Sequence, residues 1–310
     1  MTQDISYTPE EVAKILKISR FTVYELIKRG ELTAYKIGRK VRVEAGDLEV
    51  YKQRGKGLMP AAAVADTPKR DLVSPQDGLI ICGQDVVLDV LTRHLEKQMP
   101  HIRFLRNYIG SIDGLMALYR GAANLVTAHL WDSDTNQYNI PYVRRLLPGH
   151  RSVLVNLVYR DAGFYVAQGN PREIHTWSDL AKSGVRFVNR ERGSGARVLL
   201  DEQLRVHNIE HSNIKGYEHE EMSHLAVASC VARGEADVGL GIEKAARQVS
   251  GIEFLPLHRE RYDMVVRKED FTKPHFQAVM AVLRSSAFRN EVAGLGGYDI
   301  SHMGEIIAEL

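Results

Sequence analysis

Residues 7–55 read YTPEEVAKILKISRFTVYELIKRGELTAYKIGRKVRVEAGDLEVYKQRG, and this stretch is complete in itself. Thr8-Pro9-Glu10-Glu11 is a helix start. Thr8 caps the free amides, Pro9 has the φ of a first helical residue, and Glu11 completes a capping box. Val12, Ile15 and Leu16 follow at helical spacing and predict one apolar face. Ser19 is a second cap, and the next helix turns Val23, Leu26 and Ile27 inward before Gly30 stops it. Two short helices joined by a tight turn form a helix-turn-helix. Ala34–Ile37 and Val41–Val43, joined by Gly38-Arg39-Lys40, predict a β-hairpin, or wing, and Ala45–Tyr51 a third helix.

The second helix is the expected reading helix. Ser19, Arg20, Thr22, Tyr24, Lys28 and Arg29 lie on or near its start and outer face, where such helices meet base edges. Lys36, Arg39, Lys40 and Arg42 on the wing would meet phosphates. The run Ser19, Arg20, Thr22, Val23, Leu26, Ile27, Gly30, Leu32, Ala34, Gly38, Arg39 and Arg42 resembles the winged helix of the excisionase and MerR-like families, over residues 6–54. That resemblance implies double-stranded DNA as partner.

The 310 residues allow two or three domains. Residues 1–57 hold 12 Lys+Arg against 8 Asp+Glu, and the remainder 29 against 31, so the overall +2 divides into +4 and −2. The basic excess therefore sits on the module, as a DNA footprint requires. It is modest, and a homodimer is expected, because two-fold pairing doubles the contacts. The start MTQDISYTPEE is no signal segment, and no apolar run approaches the ~20 residues of a membrane span. The chain is expected in the cytoplasm, away from membranes. Cys82 and Cys230 stand far apart without metal-ligand company and read as small buried hydrophobes.

Residues 55–78 are rich in Gly, Ala and Pro without periodicity and read as a linker between a domain at 1–54 and another at 79–310. Beyond it, strands at Leu79–Cys82, Ile102–Leu105 and Leu125–Ala128 alternate with helices at Val86–Leu95 and Ile112–Tyr119. This alternation predicts an α/β fold with a parallel sheet. A second such region holds a strand at Val185–Val188, a helix from Ala196, a helix at Ser223–Arg233 and a strand at Asp237–Gly241. Val153–Val166, broken by Asp161-Ala162-Gly163, and Tyr262–Arg267 read as segments crossing between two lobes. His275–Leu283 would return to the first.

FVNRERGSGARVLLD (187–201) and SHLAVASCVARGEADVGLG (223–241) resemble the type II periplasmic-binding-protein fold, in an intracellular variant related to molybdate-binding proteins. The resemblance implies a bilobed clamp closing over a small ligand.

Ligands of such sheets bind beyond the carboxyl ends of the strands. Those ends carry Gly83-Gln84-Asp85, Gly110-Ser111 and His129. Gly193-Ser194-Gly195 stands between a strand and a helix N-terminus, whose free amides and dipole suit an anion. The family resemblance implies molybdate or tungstate, with Gly83, Ser111, Ser194 and Gly195 on the ligand side. Gln84 and Asp85 neighbour them, although Asp85 would repel an anion unless it faces away as a helix cap. Arg197 and Arg192 stand either in the cleft, where a guanidinium favours a carboxylate, or on the surface. His129 either donates to the ligand or is a structural polar residue, and Tyr262 either closes the cleft or packs.

No cofactor or metal site is expected. His207, His211, His219 and His224 lack metal-ligand spacing and read as solvated or core residues, and no catalytic motif is present. The sequence thus predicts a non-enzymatic transcriptional regulator that senses a small anion. Two alternatives stay open: the same regulator with an organic carboxylate or cofactor fragment, and a molybdenum-cofactor-metabolism protein with a vestigial DNA module.

Overall fold

The computed structural model describes residues 6–28, 32–37, 40–55 and 78–310. Arg29, Gly30, Gly38, Arg39 and residues 56–77 of the expected linker lie outside them. The chain divides into two compact units, Met1–Leu72 and Val73–Leu310.

The first unit runs β1 (Ser6–Tyr7), α1 (Pro9–Leu16), α2 (Arg20–Lys28), β2 (Tyr35–Ile37), β3 (Lys40–Glu44) and α3 (Ala45–Gly55). The capping box forms as its residues dictate. Thr8 Oγ1 accepts from Glu11 N at 3.3 Å, and Glu11 Oε2 accepts from Thr8 N at 2.7 Å. Lys17 takes the left-handed conformation (φ 56°) that ends α1, and Ser19 Oγ caps α2 by accepting from Thr22 N at 3.0 Å. Val12, Ala13, Val23, Leu26, Leu32, Val43 and Leu48 form the core. Ile15 departs from the expected apolar face and is 41% exposed, because the buried face of α1 runs through Pro9, Val12 and Ala13. The wing gains a strand that the sequence reading lacked, since β1 pairs antiparallel with the outer side of β3. Thr8→Ala removes the cap and is expected to destabilise this unit by about 1 kcal/mol. A fall of roughly 4–8 °C in its melting temperature would register the loss.

The second unit begins with β4 (Gly78–Cys82), α4 (Val86–Gln98), β5 (Arg103–Asn107), α5 (Ser111–Tyr119) and β6 (Leu125–Ala128). A small hairpin of β7 (Trp131–Asp132) and β8 (Gln137–Tyr138) and then α6 (Ile140–Leu146) follow. β9 (Ser152–Ala167) crosses to the second lobe, which contains β10 (Phe187–Arg190), α7 (Gly195–Val206), β11 (Glu220–Glu221), α8 (His224–Ala232), β12 (Val238–Ile242) and α9 (Glu243–Ala246). β13 (Ile252–Arg267) crosses back, and α10 (Lys268–Phe271), α11 (Pro274–Arg284), α12 (Ser286–Leu295) and β14 (Ile306–Glu309) complete the first lobe.

The strands lie in the order β11-β10-β12-β9-β13-β6-β4-β5, with β14 beside β9. β5-β4-β6 and β11-β10-β12 are parallel, as the alternating pattern requires. β9 and β13 run antiparallel to each other and to the strands they flank, so each lobe's sheet is mixed rather than purely parallel. Both crossing strands are longer than expected. β9 continues through the anticipated break at Asp161-Ala162-Gly163, and the irregularity falls on its neighbour, where β13 shifts register between Pro256 and His258 opposite Gly163 and Ala162. A Cβ at Gly163 would lie 2.1 Å from the Leu255 carbonyl oxygen, so glycine is what lets the two backbones remain together. β13 starts at Ile252, ten residues before Tyr262, and its polar run His258-Arg259-Glu260-Arg261 conceals the strand in the sequence.

Each lobe buries apolar side chains on both faces of its sheet. In the first lobe α4, α11 and α12 cover one face around Leu91, Phe276 and Phe288, and α5 and α6 cover the other around Leu115 and Val143. In the second, α7 packs Leu199 and Leu200 against Phe187, and α8 packs Val227 and Val231 against Val188. Cys82 and Cys230 are free and buried in these cores, and burial raises both thiols to about 11.

Candidate functional site

The strand ends of the two lobes face one another across β9 and β13 and line a cleft partly open to solvent. Its walls are Gly83, Gln84, Asp85, Ile109, Gly110, Ser111 and Thr127 with His129 from the first lobe, and Arg190, Ser194, Gly195 and His224 from the second. Arg160 and Tyr262 come from the crossing strands.

Two helix N-termini meet here. Ser111 opens α5 and Ser194 caps α7, its Oγ accepting from Arg197 N at 3.2 Å. Both serines are buried. The lobes touch beside them, where Ile112 N donates to the Gly193 carbonyl at 3.0 Å. The amides of Gly195 and Ala196, in the first turn of α7, have no intrahelical acceptor. His224 opens α8 and brings a third N-terminus to the cavity. Glycine is required at two of these positions. A Cβ on Gly83 (φ +143°) would lie 2.0 Å from Thr127 Oγ1, and one on Gly195 would lie 2.5 Å from the His129 ring.

Gln84 ties the lobes together rather than waiting for a ligand. Its Oε1 accepts from Arg190 Nη2 at 2.5 Å, and its Nε2 donates to Glu191 Oε1 at 3.2 Å. Asp85 is a helix cap, as its charge demands. Its Oδ1 accepts from Val87 N and from the Tyr298 hydroxyl, and its Oδ2 pairs with Arg160. Its carboxylate is therefore committed to the protein, which corrects its expected place among the ligand groups. Tyr262 packs: its hydroxyl is 2.6 Å from Thr127 Oγ1, and Arg160 lies 4.2 Å over its ring.

Arg197 is a further correction. It turns out of the cavity, pairs with Glu220 (3.0 Å) and Asp201 (3.3 Å), and stacks 4.1 Å over Tyr217. Arg192 is 71% exposed beside Glu218. A carboxylate ligand thus loses the residue that favoured it.

The buried charges of the cavity were not legible as a group. Arg160 pairs across the crossing strands with Glu260, Nε to Oε1 at 2.5 Å, and also with Asp85. Arg190 makes two 2.7 Å bonds to Glu191. His129 Nδ1 lies 2.8 Å from Glu260 Oε2, off the line of a hydrogen bond. His224, which was expected to be solvated or in the core, instead lines the cavity, 6.3 Å from the His129 ring. A lone arginine in the apolar run 153–166, and the position of Arg190 at a strand end, were the available signals.

Burial opposes the Glu260 charge, but Arg160 and His129 outweigh it and hold its carboxyl at about 2. A depressed carboxyl stabilises the fold above its unfolded value, ordinarily 4.5, and that contribution is lost as pH falls toward about 2. Melting temperatures measured between pH 5 and 2 are expected to fall more steeply for the natural protein than for Glu260→Gln.

In the first unit, Ser19 spends its hydroxyl on the α2 cap. Thr22 and Tyr24 are exposed on α2, Arg20 is exposed and paired with Glu10 at 2.8 Å, and Arg42 is half-buried on β3. Lys28, Lys36 and Lys40 belong to α2, β2 and β3. Among the described residues no cluster of His, Cys, Asp and Glu could hold a metal ion, and no helix is long and apolar enough to cross a membrane.

Residues 92–284 match the model of a PBP superfamily domain. The chain belongs to the PBP superfamily. Residues 6–56 match a helix-turn-helix domain. An uncharacterised protein of Bacillus subtilis (strain 168), YvgK, is 42% identical over the full length of both chains. A sulfate-binding protein of Synechococcus elongatus is 33% identical over 33% of this chain and 30% of its own. An ABC-type phosphate transport receptor from Vibrio cholerae has a similar fold, with a TM-score of 0.50 over 72% of this chain and 99% of that one, at 17% identity. The PBP domain is of a small-ligand-binding type, joined to a helix-turn-helix of a DNA-binding type.

Proposed function

We propose that this protein is a one-component transcriptional regulator whose cleft senses a small tetrahedral oxyanion, molybdate or tungstate. The helix-turn-helix binds operator DNA in the cytoplasm as a homodimer, and anion binding shifts its DNA affinity. The protein binds its effector and does not transform it. The observation that carries this reading is a cleft lined by residues at three helix N-termini, two of them with buried hydroxyls. Each terminus supplies about half a positive charge. Such a site holds a compact anion by dipoles and hydrogen bonds rather than by a full countercharge. Arg160 and Arg190 are already neutralised by carboxylates, which favours the same conclusion.

The sulfate-binding relative and the phosphate receptor support an oxyanion as the ligand class. The motifs at 187–201 and 223–241, which resemble molybdate-binding proteins, favour molybdate and tungstate within it. Differential affinity for two states is what a sensor of this kind requires, and the bonds across the lobes from Gln84 and Ile112 are contacts that an open state would lack.

Thermal unfolding of the full chain against molybdate, tungstate, sulfate, phosphate and small carboxylates tests the ligand. An anion at about a hundred times its dissociation constant stabilises by ~2.7 kcal/mol, a rise of roughly 5–11 °C for a domain of this size. A selective rise with molybdate or tungstate is expected. A rise with carboxylates alone would overturn the oxyanion reading.

A further inference from the structure

The cavity carries the wrong charge for a dianion. With both histidines neutral, the guanidinium groups of Arg160 and Arg190 face three carboxylates, Asp85, Glu191 and Glu260, which leaves one net negative charge. Helix dipoles and hydrogen bonds act against that charge, and a proton taken up with a divalent oxyanion would cancel it. Two imidazoles, one from each lobe, border the space, and the Nδ1 of each is buried without an aligned hydrogen-bond partner.

Their surroundings differ. His129, 8% exposed, follows β6 and faces Glu260 and Tyr262 of β13, Arg160 of β9, Arg190 of β10, His224 of α8 and the backbone of Gly195 in α7. Its backbone N–H donates to Ser111 Oγ at 3.4 Å. Glu260 is thus a carboxylate already in place for a protonated ring, 2.8 Å away. The charged groups that act on His224 are Arg190, Arg160 and His129, all cationic or able to become so, and they oppose a charge on it.

Resting on the oxyanion reading, we propose that the anion enters the cleft together with a proton. The proton is taken up by His129, whose imidazolium then lies between Glu260 and the ligand, while neutral His224 gives the ligand a hydrogen bond from the second lobe. In the empty site burial lowers the His129 pKa from its ordinary 6.5, against the pull of Glu260. An adjacent dianion favours the charged ring and raises that pKa in the complex. The sign follows. Affinity is greatest below the pKa of the empty site and weakens as pH rises above it, by tenfold per unit for one linked proton, up to the pKa of the complex. The site would then distinguish anions by charge, since a monovalent tetrahedral anion such as perrhenate needs no added proton.

Calorimetric titration of the full chain with sodium molybdate at one pH near neutrality, in two buffers of different ionisation enthalpy, counts the protons directly. About one proton taken up per molybdate is expected, with little uptake for perrhenate. His129→Gln is expected to abolish the uptake, while the wild-type count stands by itself if that variant folds poorly. Molybdate binding without uptake, with a dissociation constant flat between pH 6 and 8, would overturn this inference and leave the oxyanion reading intact. No heat with molybdate, tungstate, sulfate or phosphate would overturn both.

Discussion

Arg160→Met is expected to destabilise the ligand-binding unit by about 3–5 kcal/mol. The guanidinium is fully buried and holds Glu260 and Asp85, and removing it strands two carboxylates away from water. Asp85 keeps its bonds from Val87 N and Tyr298, so most of the penalty falls on Glu260. For a unit of this size the melting temperature should drop by roughly 6–20 °C. Arg160→Met combined with Glu260→Leu should recover part of the loss, because Glu260 no longer leaves a charge without a partner and only Asp85 has lost its guanidinium. Circular dichroism melts of the three proteins measure both effects. A single mutant as stable as the natural protein would mean that the buried pair contributes nothing.

Gly195→Ala should act on the ligand rather than on the fold. The added Cβ would lie 2.5–2.6 Å from three atoms of the His129 ring, which belongs to the opposite lobe and is itself buried. Either the ring moves or the lobes stay apart. Overpacking of this kind costs about 1–3 kcal/mol, which weakens anion binding by roughly 5–150-fold if it is charged to the closed state. The melting temperature without ligand should change little, while the anion-induced rise should shrink or vanish. Unchanged anion affinity in the variant would show that binding does not need this approach of α7 to His129.

Much of this architecture is legible from local chemistry. Thr8 with Glu11, and Ser19 before Arg20, state their caps in the sequence, and the structure forms both. β6 coincides with the apolar run Leu125–Ala128, and α5 begins at the serine expected to meet the ligand. The crossing strand β13 was half missed, because one face of His258–Arg261 serves the cleft and breaks the apolar pattern of a buried strand.

The site was legible where backbone makes it and illegible where charges make it. Ser194-Gly195 could be read from a glycine-flanked turn before a helix. Arg160 and Glu260 could not, because they meet only when strands 100 residues apart pair side by side. The same cause misplaced Arg197. Its sequence position at the start of α7 suggested the cleft, but Glu220 and Tyr217, which draw it aside, lie on a later segment.

The most direct test is the affinity of the full chain for genomic DNA fragments that it selects itself, measured at fixed salt by fluorescence anisotropy with and without molybdate. A change of tenfold or more with molybdate, lost in Gly195→Ala, is the expected result. Equal affinity in both conditions, with molybdate bound, would contradict the coupling of cleft to DNA.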